Sequence, residues 1–329
     1  MRAVVCTAFD EPEHLVVEDR ETQPCGANQV RVRVWASGVN FVDALIVQGR
    51  YQIKPPLPFV PGSELAGEVT EVGSDVEGWA VGDRVMASVG VGGFVDEAVL
   101  RPAQLTRIPD ALSFGQAATM GQSYATAWFT LTRRTQVRPD DWVVTFGAAG
   151  GVGLAVLDVA RALGANTLAV ASTPEKLQLC IERGTHAVVD SSAPVEEAGS
   201  VRERIRAITD GGADVVVDPV GGALAEEGLR SLRDDGRLMV VGFASGDIPS
   251  LPANQVLLRN RNVVGVDWGG WAIAHGDENA ELVDEVLGAM ADGRLSPVEP
   301  AVFPLTEVGA VLRDLLERRI VGKVCLESR

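Results

Sequence analysis

The chain has 329 residues, of which 46% are hydrophobic, and a formal net charge of −16 from 29 Lys and Arg against 45 Asp and Glu. This length allows two domains with substantial cores, and the acidic excess argues against a general nucleic-acid or anionic-membrane surface. No signal peptide and no apolar window of membrane length is visible, which predicts a cytoplasmic protein without membrane association. Neither a disulfide framework nor a zinc ribbon is expected, because no C-x-x-C pair occurs among Cys6, Cys25, Cys180 and Cys325.

The first third of the chain, to about residue 109, is predicted to form an all-β, barrel-like domain. Apolar and polar residues alternate most clearly at 29–35 and 64–72, between many Gly and Pro breaks. The proline-rich stretch 54–62 is incompatible with a helix or a central strand, so it is expected to be an ordered surface loop.

A strand, a small-residue turn and a helix are predicted in succession at 142–163. This order suits the pyrophosphate of a dinucleotide, because glycine lets the backbone approach closely and the first helical turn offers free N–H groups. Ala148 stands where the first glycine of the G-x-G-x-x-G fingerprint belongs, so the motif is imperfect and a mere tight turn is the alternative. The turn reads Gly147-Ala148-Ala149-Gly150-Gly151-Val152-Gly153.

A helix predicted at 114–132 leads into a second domain, and from Asp141 onward the chain alternates strand and helix. This alternation predicts right-handed crossovers and a doubly wound parallel sheet. Two amphipathic helices near 279–290 and 305–318 and a strand near 323–326 complete the chain. The other predicted strands are 167–171, 187–190, 214–218, 237–242 and 262–267, and the other helices are 174–183, 201–209 and 224–232.

The end of the second predicted strand of this sheet favours NADPH over NADH. NAD-binding folds place an acidic residue there for the ribose 2′-hydroxyl, whereas this chain has Ser172 or Thr173, followed by Lys176 one turn later. Hydroxyls and a cation suit a 2′-phosphate because both donate hydrogen bonds to it. The alternative is a helix cap formed by Ser172 or Thr173 with Pro174 in the first turn, and both interpretations can hold together.

Five stretches that occur in order along the chain resemble the zinc-free quinone oxidoreductase branch of the medium-chain dehydrogenase/reductase superfamily, which includes zeta-crystallin. The resemblance implies an α/β protein with a GroES-like β-barrel domain at 1–115, completed by 268–329, and a Rossmann NADPH-binding domain at 116–267. It also implies a homodimer formed by edge strands near 263–266. The stretches are Ser37-Gly38-Val39-Asn40-Phe41-Val42-Asp43, Val60-Pro61-Gly62-Ser63-Glu64-Leu65-Ala66-Gly67, Val81-Gly82-Asp83-Arg84-Val85, the loop 148–153, and Asp218-Pro219-Val220-Gly221-Gly222.

The resemblance also implies that no metal is bound. Zinc-dependent relatives place a Cys where this chain has Asn40 and a His where it has Ser63, and neither replacement is a good Zn²⁺ ligand. The four-cysteine lobe of those relatives is absent at 90–95. The three histidines match no ligand position and are expected to be structural or exposed; they are His14, His186 and His275.

The implied activity is hydride delivery from NADPH to a small molecule, either a quinone or an activated C=C bond such as an enone. Asn40, Asp43 and Tyr51 are the implied catalytic residues. Asn40 would donate to the substrate oxygen, Asp43 would orient its neighbours, and Tyr51 would donate its hydroxyl or pack against a flat substrate. The alternatives are turn residues for the first two and a core tyrosine for the third.

Further positions are implied as cofactor contacts. Relatives often have a tyrosine where this chain has Leu45, so a more apolar substrate site is expected. Relatives also carry a cofactor-contacting tyrosine where this chain has Asp190, and an acid there would tend to disfavour the 2′-phosphate. Trp268 and Trp271 have an alternative interpretation as core or interface aromatics. The expected contacts are Thr126, Ala149, Gly150, Gly151, Val152, Gly153, Ser172, Thr173, Lys176, Gly242, Phe243 and Trp268.

Two other functions remain open from the sequence. An enoyl-thioester reductase of the same superfamily should need a basic groove for carrier phosphates, of which the acidic composition gives no sign. A non-catalytic NADPH-binding regulatory protein is also possible, because a fold does not settle a function.

Overall fold

A computed structural model describes residues 1–328, and the chain divides into two compact units. The first unit comprises Met1–Gln122 together with the segment from Pro297 onward, and the second comprises Ser123–Ser296.

The N-terminal segment of the first unit is mainly strand, but it contains a helix where an all-β domain was expected. This helix, α1, begins after Asn40, whose backbone N–H donates to the Asp43 carboxylate at 2.7 Å and so ties down the first turn. The elements are β1 (Arg2–Val5), β2 (Val16–Asp19), β3 (Val30–Gly38), α1 (Phe41–Val47), β4 (Glu64–Val72), β5 (Arg84–Ser88), β6 (Glu97–Leu100), β7 (Leu105–Arg107) and α2 (Phe114–Phe129), which enters the second unit and continues as a π-helical turn at Thr130–Arg134.

The second unit is a parallel sheet with interleaved helices. Its strand order is β10-β9-β8-β11-β12-β13, and every neighbouring pair is parallel, as βαβ crossovers require. The elements are β8 (Trp142–Phe146), α3 (Gly151–Ala162), β9 (Asn166–Ala171), α4 (Pro174–Glu182), β10 (Ala187–Asp190), α5 (Val195–Ala198), α6 (Val201–Ile208), β11 (Ala213–Asp218), α7 (Ala223–Ser231), β12 (Leu232–Val240), α8 (Ala253–Leu257), β13 (Asn262–Gly265), α9 (Trp268–Ala274) and α10 (Gly276–Ala291).

The C-terminal segment completes the sheet of the first unit. It contains β14 (Ala301–Pro304), a 3-10 turn at Leu305–Glu307, α11 (Val308–Leu316) and β15 (Val324–Glu327). β15 pairs with β3, giving the order β14-β15-β3-β4-β5-β7, while β6 also pairs with β3. The predicted α/β class, a β-barrel-like domain plus a doubly wound parallel sheet, is therefore confirmed.

The boundaries of the units differ from the expected 115 and 268: the first falls inside α2, after Gln122, and the second follows Ser296, because α9 and α10 belong to the second unit. Leu282, Val286 and Ala289 form the buried face of α10. On the same helix, Glu285 accepts a hydrogen bond of 2.6 Å from the indole of Trp128, which lies in the second unit. An amphipathic pattern shows that a helix packs but not against which unit, so contacts with residues distant in sequence, such as this one and the Arg133–Glu285 ion pair of 2.7 Å, assign α10 to the second unit. None of the helices within 1–328 has the length and apolar character that crossing a membrane requires.

Candidate functional site

The glycine-rich turn joins β8 to α3, as the strand–turn–helix pattern predicts. Gly147 has a φ of +57°, a left-handed conformation that glycine adopts without strain. Ala148 is fully buried, and its N–H donates to the Val170 carbonyl at 3.1 Å. Gly147 therefore makes the tight turn one residue earlier than the fingerprint suggests, which is why alanine is tolerated at position 148.

Gly153 allows α3 to pack closely on the turn. A Cβ at this position would lie 2.5 Å from the Gly147 carbonyl oxygen and 2.7 Å from the Ala148 Cα, both of which belong to backbone. No side chain larger than hydrogen fits there without displacing the turn or the helix.

The first turn of α3 leaves donors available for an anion. Gly150 is the N-cap and has no side chain to cap the helix, and the Leu154 N–H makes the first intrahelical bond, to Gly150 at 2.9 Å. The N–H groups of residues 151–153 therefore precede the hydrogen-bonded part of the helix and lie at the positive end of its dipole. Short, open and donor-rich, this turn fits a pyrophosphate.

The two hydroxyl side chains that follow β9, those of Ser172 and Thr173, have different surroundings. Thr173 is the N-cap of α4, and its Oγ1 accepts the backbone N–H of Lys176 at 3.3 Å, while Pro174 is the first helical residue. The helix-cap interpretation is thus confirmed for Thr173. Ser172 is exposed between the strand and the cap, so its hydroxyl remains the better candidate for a ribose substituent.

Asp190 brings a negative charge to the neighbouring strand end. It pairs in register with Ala171, the residue before Ser172. Its Oδ1 accepts hydrogen bonds from the N–H and the hydroxyl of Ser192, at 2.8 and 2.7 Å, and these bonds lower the pKa of the carboxyl group. The carboxylate is therefore charged and held in a local turn, close to the position where a 2′-phosphate is expected.

A cavity of about 480 Å³ opens at the carboxyl ends of β12 and β13 in the second unit. The predicted contacts Gly242 and Phe243 line it, as does Trp271, whose ring lies 4.7 Å from that of Phe129. Trp268 is not part of this lining, and its indole N–H donates to Asn279 at 2.9 Å. Of the two tryptophans, the structure places Trp271 in the cavity wall.

The remaining cofactor candidate, Thr126, is half-buried on α2, one turn before Phe129. Its carbonyl accepts the Thr130 hydroxyl at 2.6 Å, where the helix widens into the π-helical turn.

A buried cluster of polar side chains surrounds Asn40 in the first unit. Asn40 is the N-cap of α1 and Asp43 lies in its first turn. Ser63 directly precedes β4, Glu64 is the first residue of β4, and Lys323 directly precedes β15. Apart from Asn40, which is half-buried, every member is at most 8% exposed. These five residues are called the Asn40 cluster below.

Asn40 lies between an ammonium and a carboxylate. Lys323 Nζ donates to its Oδ1 at 2.8 Å, and its Nδ2 donates to Glu64 Oε2 at 2.7 Å. A longer contact of 3.4 Å joins Nδ2 to the Ser63 hydroxyl. The other Glu64 oxygen accepts the Gln122 backbone N–H at 2.6 Å, so the carboxylate is held from both sides.

Burial controls the ionisation of the cluster. It raises the pKa of Asp43 to about 7, although the Asn40 backbone N–H opposes this shift, and it also raises the pKa of Glu64. The pKa of Lys323 is lowered by burial, while the attraction of Glu64 and Asp43 opposes that shift. Asp43 Oδ1 is buried without a hydrogen-bond partner among the described residues, which adds to the cost of its charged form.

The raised pKa of Asp43 predicts that the stability of the protein depends on pH. The folded pKa of Asp43, about 7, exceeds its unfolded value, so the folded protein binds more protons between about pH 4 and 7, and the free energy of unfolding should fall as pH rises. Urea unfolding at pH 5 to 8 should show that the free energy of unfolding falls less steeply with pH in Asp43→Asn than in the wild type. The two slopes should differ by up to about 1.4 kcal/mol per pH unit. Glu64 and Lys323 are retained in both proteins, so equal slopes would contradict the assignment.

Tyr51 lies beyond α1, half-buried against the apolar core that includes Ile46, Val47 and Phe59. This position agrees with the core-tyrosine alternative and also allows the ring to offer a flat surface beside α1.

Sequence reasoning did not identify Glu64 and Lys323 as members of the site. Glu64 was inside a quoted family stretch, but it was not given a role. Lys323 carried no local signal, because its partner Asn40 lies 283 positions away. Such a contact exists only after β15 pairs with β3.

No group of three or more His, Cys, Asp and Glu side chains among residues 1–328 is arranged to hold a metal ion. The three histidines have local partners: His14 contacts Asp10 at 2.7 Å, His186 accepts the Thr167 N–H at 3.0 Å, and His275 contacts the Trp271 carbonyl at 2.9 Å.

Comparison with known families matches both units. A family described as alcohol dehydrogenase GroES-like domain matches residues 26–110, and one described as zinc-binding dehydrogenase matches residues 151–287.

Individual relatives match over nearly the whole chain. The quinone oxidoreductase-like protein 2 homolog of Nematostella vectensis is 39% identical and aligns with 100% of this chain and 89% of its own length. Quinone oxidoreductase-like protein 2 of Bos taurus is 38% identical, with coverage of 100% and 93%. The crystal structure of Escherichia coli quinone oxidoreductase complexed with NADPH superimposes with a TM-score of 0.88 at 27% identity, covering 100% of both chains.

Proposed function

Because the chain belongs to the quinone oxidoreductase branch of the medium-chain dehydrogenase/reductase superfamily, we propose that it reduces quinones or enones without zinc. The chain is an NADPH-dependent oxidoreductase of this superfamily. The Asn40 cluster is the observation that supports reduction of quinones or enones without zinc. In it, Asn40 and Ser63 occupy the positions of two metal ligands of zinc-dependent relatives, and the Asn40 amide is flanked by an ammonium and a carboxylate.

NADPH, when bound, supplies the hydride, and residues of the second unit would hold it. The N–H groups of 151–153 would bind the pyrophosphate, together with the backbone of Ala149 and Gly150. Ser172, with Thr173 and Lys176, would receive the 2′-phosphate. The strand ends that carry Gly242 and Phe243 would contact the nicotinamide half, with Thr126 and Trp268 as further proposed contacts.

Asn40 would be the donor to the acceptor oxygen. One N–H of its amide is committed to Glu64 at 2.7 Å, but the other makes only the 3.4 Å contact with Ser63, so it is the hydrogen that can be redirected. A hydrogen bond at this oxygen stabilises the negative charge that develops as hydride reaches a quinone or enone. Asp43 would act as a positioning residue by holding the Asn40 backbone, and Tyr51 would pack against the flat acceptor.

The Asn40 cluster also supports zinc independence. Asn40 Oδ1 accepts from the Lys323 ammonium, and a divalent cation at the same oxygen would be repelled by that charge. The positions of the thiolate and imidazole ligands are held by Asn40 and Ser63, which do not bind zinc well.

We further propose that the protein is cytoplasmic and forms a homodimer through β13. This strand ends the sheet of the second unit, and Val263 on it is 41% exposed. An edge strand pairs with only one neighbouring strand, so its outer side is a ready surface for pairing with a second copy.

Oxidation of NADPH by the purified protein tests the proposed function. With a panel of quinones and enones, the absorbance of NADPH is expected to fall for at least one acceptor, and prior treatment with a zinc chelator should leave the rate unchanged. Tight NADPH binding without turnover would contradict the proposal and favour a regulatory protein. Turnover confined to enoyl thioesters would instead favour the related reductase class, and stoichiometric zinc in the active protein would overturn zinc independence.

A further inference from the structure

Lys323 is buried, yet it forms no direct ion pair within 4.0 Å in the part of the chain that the structure describes. It is 8% exposed, and its hydrogen bond goes to Asn40 Oδ1 at 2.8 Å rather than to a carboxylate. Glu64, the nearest opposite charge in the hydrogen-bond pattern, is reached through the same amide, from Nδ2 at 2.7 Å. Burying an ammonium costs free energy unless it is compensated, so its placement against an amide oxygen calls for an explanation.

The two charges fix the orientation of the Asn40 amide. The oxygen and nitrogen ends of an asparagine side chain are similar in size, so a half-turn about its last bond changes packing little. Here that half-turn would place the NH₂ group against the ammonium of Lys323 and the carbonyl oxygen against the carboxylate of Glu64. Both contacts would become repulsive, and in a low-dielectric interior such repulsion is strong.

We propose that Lys323 is a positioning residue for acceptor reduction and acts through Asn40. By holding the carbonyl end of the amide, it ensures that an N–H, and not the carbonyl oxygen, faces the acceptor oxygen. A carbonyl oxygen in that place would repel the charge that develops during hydride transfer. The inference rests on the proposed function, in which Asn40 donates to the acceptor.

A purely structural role for Lys323 is the competing explanation. The ammonium would then only balance Glu64 and Asp43, whose pKa values are both raised by burial. In that case the effect of removing it would not depend on whether residue 40 is asparagine. This dependence is the property that separates the two roles.

A double-mutant cycle in steady-state kinetics measures whether the effect of removing Lys323 depends on Asn40. Lys323→Met is expected to lower kcat with a quinone or enone about tenfold, which corresponds to about 1.4 kcal/mol, while the Kd for NADPH stays the same. Asn40→Ala is expected to cost at least as much. The double variant should be no slower than Asn40→Ala alone, because Lys323 has nothing left to position. Multiplicative losses would overturn the inference.

A charge-balanced variant guards against misfolding. Lys323→Met leaves Glu64 buried without a positive neighbour, which can destabilise the fold strongly. Lys323→Met combined with Glu64→Gln removes both charges while a side chain of similar shape remains at 64. It also removes the carboxylate that still holds Nδ2 in Lys323→Met, so a loss of kcat of at least about tenfold is expected, and wild-type kcat in this variant would overturn the inference.

The outcomes distinguish this inference from the proposed function beneath it. If wild-type protein reduces acceptors but Asn40→Ala does so equally well, the donor role of Asn40 in the proposed function fails. If Asn40→Ala is impaired and Lys323→Met is not, only the inference about Lys323 fails.

Discussion

Replacing Gly153 by alanine is expected to raise the Kd for NADPH about 100-fold and to lower the free energy of unfolding by about 2 kcal/mol. The added methyl group would lie 2.5 Å from the Gly147 carbonyl oxygen and 2.7 Å from the Ala148 Cα. Overpacking of this kind typically costs 1 to 3 kcal/mol. To relieve this clash, the glycine-rich turn or the first turn of α3 must move, which displaces the N–H groups proposed to bind the pyrophosphate. The 100-fold increase in Kd corresponds to a loss of about 2.7 kcal/mol of binding free energy.

Gly288→Ala provides the matched control. Gly288 lies inside α10, is exposed, and a Cβ there would meet nothing within 4 Å. Alanine favours a helix over glycine by up to about 1 kcal/mol, so this variant should be slightly more stable and bind NADPH normally. Fluorescence titration with NADPH and urea unfolding measure both quantities. An unchanged Kd for Gly153→Ala would show that the pyrophosphate does not bind at this turn.

Ser172→Asp is expected to lower kcat/KM for NADPH on the order of 100-fold while kcat/KM for NADH is retained. Ser172 is exposed after β9, so the substitution should not disturb the fold. A carboxylate at this strand end repels a 2′-phosphate and accepts a hydrogen bond from a free ribose 2′-hydroxyl. The charged Asp190 on the neighbouring strand would add to the repulsion, so two acids would then surround the phosphate.

Ser250→Asp adds the same charge to an exposed loop of the second unit and controls for net charge. It should leave kcat/KM for both cofactors within about twofold, since Ser250 is not among the residues proposed to contact NADPH and the charge of an exposed side chain is screened by salt. Parallel measurements with NADPH and NADH give the selectivity directly. An equal loss with both cofactors in Ser172→Asp would mean that position 172 does not contact the 2′ substituent.

The elements that local patterns predict well are those whose residues are close in sequence. β8, the turn and α3 occupy one continuous stretch of about twenty residues, and apolar runs, glycine and helix signals act within that distance. The alternation that follows implied a parallel sheet, because a crossover of this kind has one preferred hand. The cap at Thr173 was likewise visible as a hydroxyl followed by proline.

Tertiary structure decided the features that depend on distant partners. The amphipathic pattern of α10 identifies a buried face, but contacts of Glu285 with Trp128 and Arg133 assign the helix to the second unit. The role of Ala148 became clear only from the backbone, because the left-handed turn falls at Gly147.

The sequence by itself determined the class of fold, the strand–turn–helix unit that contains residues 147–153 and the absence of good zinc ligands at Asn40 and Ser63, since each depends on residue types within short segments. Only the tertiary structure brought Glu64 and Lys323 to the two ends of the Asn40 amide. The pairing of β15 with β3 and of β3 with β4 brings these three segments together. Because these groups are buried, the low dielectric of their surroundings strengthens the electrostatic interaction of both charges with the Asn40 amide and so fixes its orientation.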